Sequence, residues 1–142
     1  MGVDTKTFRY AVTLEDRGRM LAEGRGGLEL DEAWSPDHLL VAALLRCTLE
    51  SLEYHAERAG LTMSGRGDGV ATVTKRDADD RYAVVELVAD LEAAVEPDPG
   101  DAEVAELLAK AERDCFVGAS LAAAPTYNWV VNGREVRPAA PS

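Results

Sequence analysis

The chain has 142 residues, 26 acidic against 15 basic side chains, a formal net charge of −11 and 46% hydrophobic residues, a length that predicts one domain over 1–142 with about 136–142 as a disordered tail. That acidity repels nucleic-acid phosphates and anionic membrane surfaces, and no Lys/Arg stripe with interleaved aromatics offsets it. With no apolar run long enough for a signal peptide or a membrane span, the expectation is a cytoplasmic protein with neither nucleic acid nor membrane as a partner.

Residues 6–14, KTFRYAVTL, alternate as a strand with Phe8, Tyr10, Val12 and Leu14 on one side. After the turn EDRGR, the stretch MLAEGRGGLELDEAW offers short strand pieces around Gly24–Gly27, so the chain opens on a small antiparallel meander carrying Arg9, Arg17, Arg19 and Arg25. Ser35 before Pro36, with Asp37 in the first turn, starts a helix that should run to about Ala59 and stop at Gly60. From Leu39 to Leu45 this helix is apolar nearly all round, so protein must cover it on most sides, and Cys47 follows directly.

Gly69–Lys75 and Tyr82–Val95 alternate and are joined by the charged turn RDADD, which predicts a hairpin. EPDPG at 96–100 breaks the chain, and Asp101 is placed to cap a second helix with Val104, Leu107, Leu108, Ala111 and Cys115 on one face. FVGASLAAA reads as a short helical stretch ended by Pro125, and TYNWVVNGREV as a last strand with an Asn132–Gly133 turn. The order predicts an α+β fold with helices against an antiparallel sheet. A helix as apolar as 39–49 is hard to cover within one small domain, and a homodimer would supply the cover.

Cys47 and Cys115 are the two cysteines of the chain, and with His38 and His55 they lack the CxxC or HxxxH spacing that metal sites use, so no metal is expected. Two readings of the sulfurs stay open: small buried hydrophobes, or a redox pair in which one thiolate attacks and the other closes a disulfide. Attack needs a thiolate, and burial in mid-helix opposes ionisation, so a nearby guanidinium with its own carboxylate would be required. The meander arginines and Asp37 are candidates, although ten residues of helix put Asp37 about 15 Å along the axis from Cys47. Both histidines read as helix-surface residues, and Arg46 as the partner of Glu50 at i+4.

SPDHLLVAALLRCTLESL and AERDCFVGASL resemble the two cysteine helices of the OsmC/Ohr proteins, the osmotically induced and organic-hydroperoxide-resistance thiol peroxidases, and the order of elements agrees over nearly the whole chain. The resemblance implies an OsmC-like fold, with antiparallel sheets around a long central helix, in an intertwined homodimer. It implies a peroxidase in which Cys47 attacks an organic hydroperoxide, Cys115 resolves the sulfenic acid as a disulfide, and an external dithiol such as a lipoyl-protein reduces it, with no bound cofactor. Arg17 best matches the family's activating arginine, ahead of Arg19 and Arg25, and Asp37 stands where the family usually carries Glu. Leu39, Leu40, Leu44, Phe116 and Leu121 would line the substrate pocket. Arg46 stands before Cys47 where the family helix usually has a small residue, and Phe116 follows Cys115 where many hydroperoxide-resistance members have Pro, which marks a divergent OsmC-like branch. The competing expectation is a noncatalytic OsmC-like dimer that binds a small apolar ligand, with both sulfurs inert.

Overall fold

Three strands of three residues each, β1 (Val12–Leu14), β2 (Met20–Ala22) and β3 (Gly26–Leu28), pair antiparallel in the order β1-β2-β3. The β2–β3 turn needs left-handed backbone, which Gly24 (φ 63°) and Gly26 (φ 88°) supply without a Cβ penalty. This meander belongs to the first of two units, Met1–Pro36 and Asp37–Ser142, into which the chain groups. The computed structural model describes residues 5–15, 19–29 and 34–140. Of the expected strand 6–14 only Val12–Leu14 pairs, and Phe8, Tyr10, Val12 and Leu14 all stand exposed.

Helix α1 (Pro36–Arg58) begins at the expected proline. It ends in a Schellman motif: Gly60, at φ 78°, donates to the Glu57 carbonyl and Leu61 to the Ala56 carbonyl. The second unit also contains β4 (Thr62–Lys75), β5 (Tyr82–Glu96), α2 (Asp101–Arg113), α3 (Phe116–Ser120), β6 (Thr126–Val131) and β7 (Arg134–Glu135).

Strand β4 starts seven residues before the expected Gly69, because Gly65, Gly67 and Gly69 hide its alternation by having no side chains. Their missing side chains are what the fold uses. A Cβ on Gly65 would stand 2.8 Å from Leu49 Cδ2, one on Gly69 2.6 Å from Val41 Cγ1, and one on Gly67 2.8 Å from Leu91 Cδ2 and 3.4 Å from Leu45 Cδ2. Val41, Leu45 and Leu49 recur every four residues, a helical rise of about 6 Å that nearly matches about 6.8 Å for two strand residues. The apolar stripe of α1 therefore lies along a glycine track, running opposite to β4.

The second sheet has the order β4-β5-β6-β7. Leu87, Ala89, Leu91, Ala93 and Val95 of β5 and Trp129 and Val131 of β6 form its buried face, packed with Leu44, Leu52 and Ala56 of α1 and with Val104, Leu107, Leu108 and Ala111 of α2. That α2 face is the expected one, although the helix is N-capped by Gly100 with no side-chain cap, and Asp101, the expected cap, lies inside the first turn and pairs with Arg134 at 2.8 Å. The sheet is mixed rather than purely antiparallel: β6 runs parallel to β5, because α2 and α3 carry the chain back to the end at which β5 began. The β6–β7 turn uses left-handed Asn132 (φ 52°) and Gly133 (φ 79°), as the Asn-Gly pair predicts. Residues 136–139, expected in a disordered tail, are anchored instead. Val136 is buried and donates its N–H to Trp129, and Ala139 donates to the Ala105 carbonyl at 2.9 Å.

Candidate active site

Cys47 and Thr48 are successive residues of α1, so their side chains point about 100° apart. Thr48 faces the core and is fully buried, while Cys47 is half-buried. Shut away from the surface, the Thr48 hydroxyl donates to the Leu44 carbonyl at 2.8 Å, the back-bond open to a mid-helix threonine.

The second sulfur arrives through a break between helices. Instead of ending the face of α2, Cys115 follows the C-cap Asp114, adopts an extended conformation (φ −75°, ψ 108°) and becomes the N-cap of α3. Its buried sulfur accepts the Gly118 N–H at 3.4 Å and lies 3.4 Å from Thr48 Oγ1. The same turn puts the Val117 and Phe116 amides against the Cys47 sulfur, which interacts with the Cys115 sulfur as well. Both cysteines are free thiols.

Tyr127, on the inward face of β6 two residues before buried Trp129, completes the cluster. Its hydroxyl neighbours Gly118 and the Cys115 sulfur, and Thr48 and Cys115 both act on its ionisation. The approach depends on Gly118, where a Cβ would run into the Tyr127 hydroxyl and stand 3.6 Å from both Cys115 Sγ and Leu44 Cδ1. Burial, together with the Cys115 sulfur and Glu112, pushes the Tyr127 phenol well above its ordinary value against the pull of Thr48, so it stays protonated and able to donate.

Burial also pushes the Cys47 thiol up; the Val117 and Phe116 amides pull it down, and the Cys115 sulfur adds to the rise. Among the described residues no cation is one of these influences. Arg17, the expected activator, lies outside the described residues. Arg19 is held by Glu15 at 3.3 Å and Glu29 at 3.5 Å, and Arg25 acts on Glu23. Asp37 is exposed in the first turn of α1, and Arg46 pairs with Glu50 at 3.2 Å as expected.

Of the expected pocket residues, Leu44 is buried next to the cysteine cluster, Leu39, Leu40 and Leu121 are half-buried, and Phe116 is exposed. A groove of about 670 Å³ in this unit has Arg66, Asp68, Asp90, Glu92, Tyr127 and Asn128 in its lining and neither cysteine. His55 is not the surface residue expected. The end of α2 covers it and brings Asp114 Oδ2 within 2.8 Å of His55 Nε2. Asp114 is fixed in turn by a two-pronged contact from Arg113, at 2.9 Å on each prong, and Arg113 first and His55 second hold its carboxyl below the ordinary 3.8. The residue before Cys115 is thus tied to α1.

Thr48, Gly118 and Tyr127 were not singled out from the sequence. Thr48 had a signal, as a hydroxyl four residues after Leu44 in an apolar stripe, and so had Tyr127, in period-2 phase with Trp129 and Val131.

Among the described residues no helix is long and apolar enough to cross a membrane, and no group of three or more His, Cys, Asp or Glu side chains gathers as a metal site. Searching the curated proteins gave no match. Solved structures share the fold at low identity. An OsmC-like protein of unknown function from Vibrio cholerae is 14% identical with a TM-score of 0.72, covering 89% of this chain and 100% of its own. An OsmC-like protein from Mycoplasma pneumoniae is 14% identical with a TM-score of 0.68, covering 89% of this chain and 97% of its own. The organic hydroperoxide resistance protein OhrB of Bacillus subtilis is 15% identical with a TM-score of 0.58, covering 88% of this chain and 98% of its own. The family model described as OsmC-like protein matches residues 29–130, most of the chain and both cysteine helices, and the chain belongs to that family.

Proposed function

We propose that the protein is a cytoplasmic, homodimeric thiol peroxidase that reduces organic hydroperoxides. The observation that carries this reading is the approach of the chain's two cysteine sulfurs, one from α1 and one from the α2–α3 junction. Family membership and the likeness to OhrB, named for organic hydroperoxide resistance, support it.

In the reaction the Cys47 thiolate attacks the peroxide O–O bond, giving Cys47 sulfenic acid and an alkoxide that takes up a proton to become the alcohol. The Cys115 sulfur then attacks the sulfenic sulfur, the disulfide forms and water leaves. An external dithiol such as a lipoyl-protein restores both thiols. Because Cys47 stands above its ordinary value within the described protomer, the reading requires a cation, and Arg17 held by Asp37 is the assignment. The half-buried leucines of α1 and exposed Phe116 suit an apolar hydroperoxide, with Leu39, Leu40, Leu44, Phe116 and Leu121 as the lining. A second copy of the chain would cover the exposed apolar side chains of the first unit.

The test is to treat reduced protein with cumene hydroperoxide and follow thiols and intact mass. Loss of both thiols and of about two mass units per chain is expected. Cys47→Ser abolishes turnover, and Cys115→Ser leaves a dimedone-reactive sulfenic acid at Cys47. Thiols that survive excess peroxide would overturn the reading and leave a binding protein with inert sulfurs.

A further inference from the structure

The two sulfurs sit in unlike surroundings, and the difference bears on how an oxidised pair is reopened. Cys47 is half-buried and within reach of an incoming thiol, whereas Cys115 is 0% exposed. Reduction of a disulfide begins when a thiolate attacks one sulfur and the other departs with the bonding electrons, and departure is faster the better that sulfur's negative charge is stabilised. Access selects Cys47 for attack. Cys115 must then carry a negative charge in a buried place, where an anion without donors is costly.

Donors are in place around Cys115. The Gly118 N–H already points at its sulfur at 3.4 Å. The Thr48 hydroxyl, also 3.4 Å away, has its proton committed to the Leu44 carbonyl at 2.8 Å, so toward Cys115 it serves as an acceptor for the S–H of the resting thiol. Once that proton is gone, Thr48 has none to offer without giving up its back-bond. Tyr127 has no such commitment, and its hydroxyl stands against Gly118, at the same Cβ position from which the Cys115 sulfur is 3.6 Å away.

We propose that Tyr127 is the hydrogen-bond donor that lets Cys115 leave as a thiolate when an external dithiol reopens the disulfide by attacking Cys47. The proposal rests on the Cys47–Cys115 disulfide of the proposed function but not on the oxidant that forms it. In the first step the reductant thiolate bonds to the Cys47 sulfur, the S–S bond breaks, and the electron pair goes to Cys115, where the Tyr127 O–H turns to the sulfur. In the second step the other thiol of the reductant loses its proton and attacks the mixed disulfide at its own sulfur, releasing Cys47 as thiolate. The two cysteines take up the two protons that the dithiol lost, and the reductant leaves as its cyclic disulfide.

The test forms the disulfide with diamide, which oxidises two thiols and is itself reduced to the hydrazine, so that peroxide reactivity is not needed. The oxidised protein is treated with 2-mercaptoethanol, quenched with acid and mapped by peptide mass spectrometry. The adduct is expected on Cys47; an adduct on Cys115 overturns the proposal, as does failure of diamide to close the pair. Tyr127→Phe removes only the hydroxyl and is expected to slow reduction by dithiothreitol roughly tenfold, as for loss of a hydrogen bond to a charged group. In a Cys47→Ser background it should also move the pH profile of Cys115 alkylation to higher pH in denaturant-free buffer, which a role in packing alone would not do. Gly118→Ala displaces the hydroxyl without deleting it and should act in the same direction. Unchanged rate and profile in both variants would remove Tyr127 from the mechanism. If diamide forms the disulfide and the adduct maps to Cys47 while peroxide leaves the thiols intact, the peroxidase reading fails and this proposal stands.

Discussion

Leu87, Ala89, Leu91, Ala93 and Val95 in β5 alternate with neighbours that are polar or small except for Val88, as do Phe8, Tyr10, Val12 and Leu14 near the start of the chain with theirs. The pattern is the same and the outcome is opposite: the β5 residues are 4% exposed or less, and the N-terminal ones 60% or more. Period-2 alternation specifies which side chains share a face, and an amphipathic helix has to supply the cover. The second unit has two helices for that purpose, α1 on its glycine track and α2 with its apolar face. The described part of the first unit contains no helix, and its strands of three residues are shorter than the usual five or six. This exposed apolar area is the face that the proposed second copy would cover.

The contrast yields graded expectations for stability. The largest effect should come from Leu108→Ala, which opens a cavity at a fully buried position between α2 and the sheet and should cost about 2–5 kcal/mol in urea unfolding. A loss below about 1 kcal/mol would mean that α2 contributes little to the cover. Next is Gly67→Ala, whose added methyl meets Leu91 and the Asp90 carbonyl at 2.8 and 3.0 Å under α1, for a cost of about 1–3 kcal/mol. If that variant were more stable than the parent, the close approach of α1 to β4 would not be a requirement of the fold.

Much of the second unit was legible in the sequence because its signals are local. Pro36 and Gly60 bracket α1, the apolar face of α2 follows 3- and 4-residue spacing, and Asn132–Gly133 marks a turn. What escaped had a physical reason in each case. The first half of β4 carries glycines where its inward side chains would be, so its alternation has nothing to show. The parallel pairing of β6 depends on where two helices return the chain, which no local pattern states. Cys115 was read as the last residue of a helical face, whereas Asp114 ends the helix under the combined hold of Arg113 and His55. The two cysteines were found from spacing and resemblance, but Thr48, Gly118 and Tyr127 converge from three separate elements, and convergence is tertiary.

The pairing at Asp114 sharpens the comparison by pH. Its native carboxyl titrates below the ordinary 3.8, so the native state binds its proton less readily than the unfolded chain does. The stability it contributes is therefore fully present above about pH 4 and is lost as pH falls through the lowered native value. Asp114→Asn should narrow the gap to the parent over that acid window and leave a small deficit at neutral pH, because the carboxylate is partly exposed. Unfolding curves between pH 2 and 7 measure this, and a gap that widens toward acid would contradict the assignment.

The smallest expected effect lies in the first unit. Tyr10 is 74% exposed, so Tyr10→Ser removes little buried area within a protomer and should shift the unfolding of the second unit by less than about 0.5 kcal/mol. Trp129, buried and bonded through Nε1 to Glu112 at 2.8 Å, reports that unfolding by fluorescence once Trp34 is replaced by Phe. The measurement is made at a protein concentration low enough to suppress self-association. At higher concentration the same substitution should weaken the proposed dimer in sedimentation velocity, because it removes an aromatic side chain from the face that a second copy would cover. A large loss in the dilute Trp129 transition would mean that the two units unfold together, and the contrast between a covered sheet and an uncovered one would then describe surface exposure without describing where the stability resides.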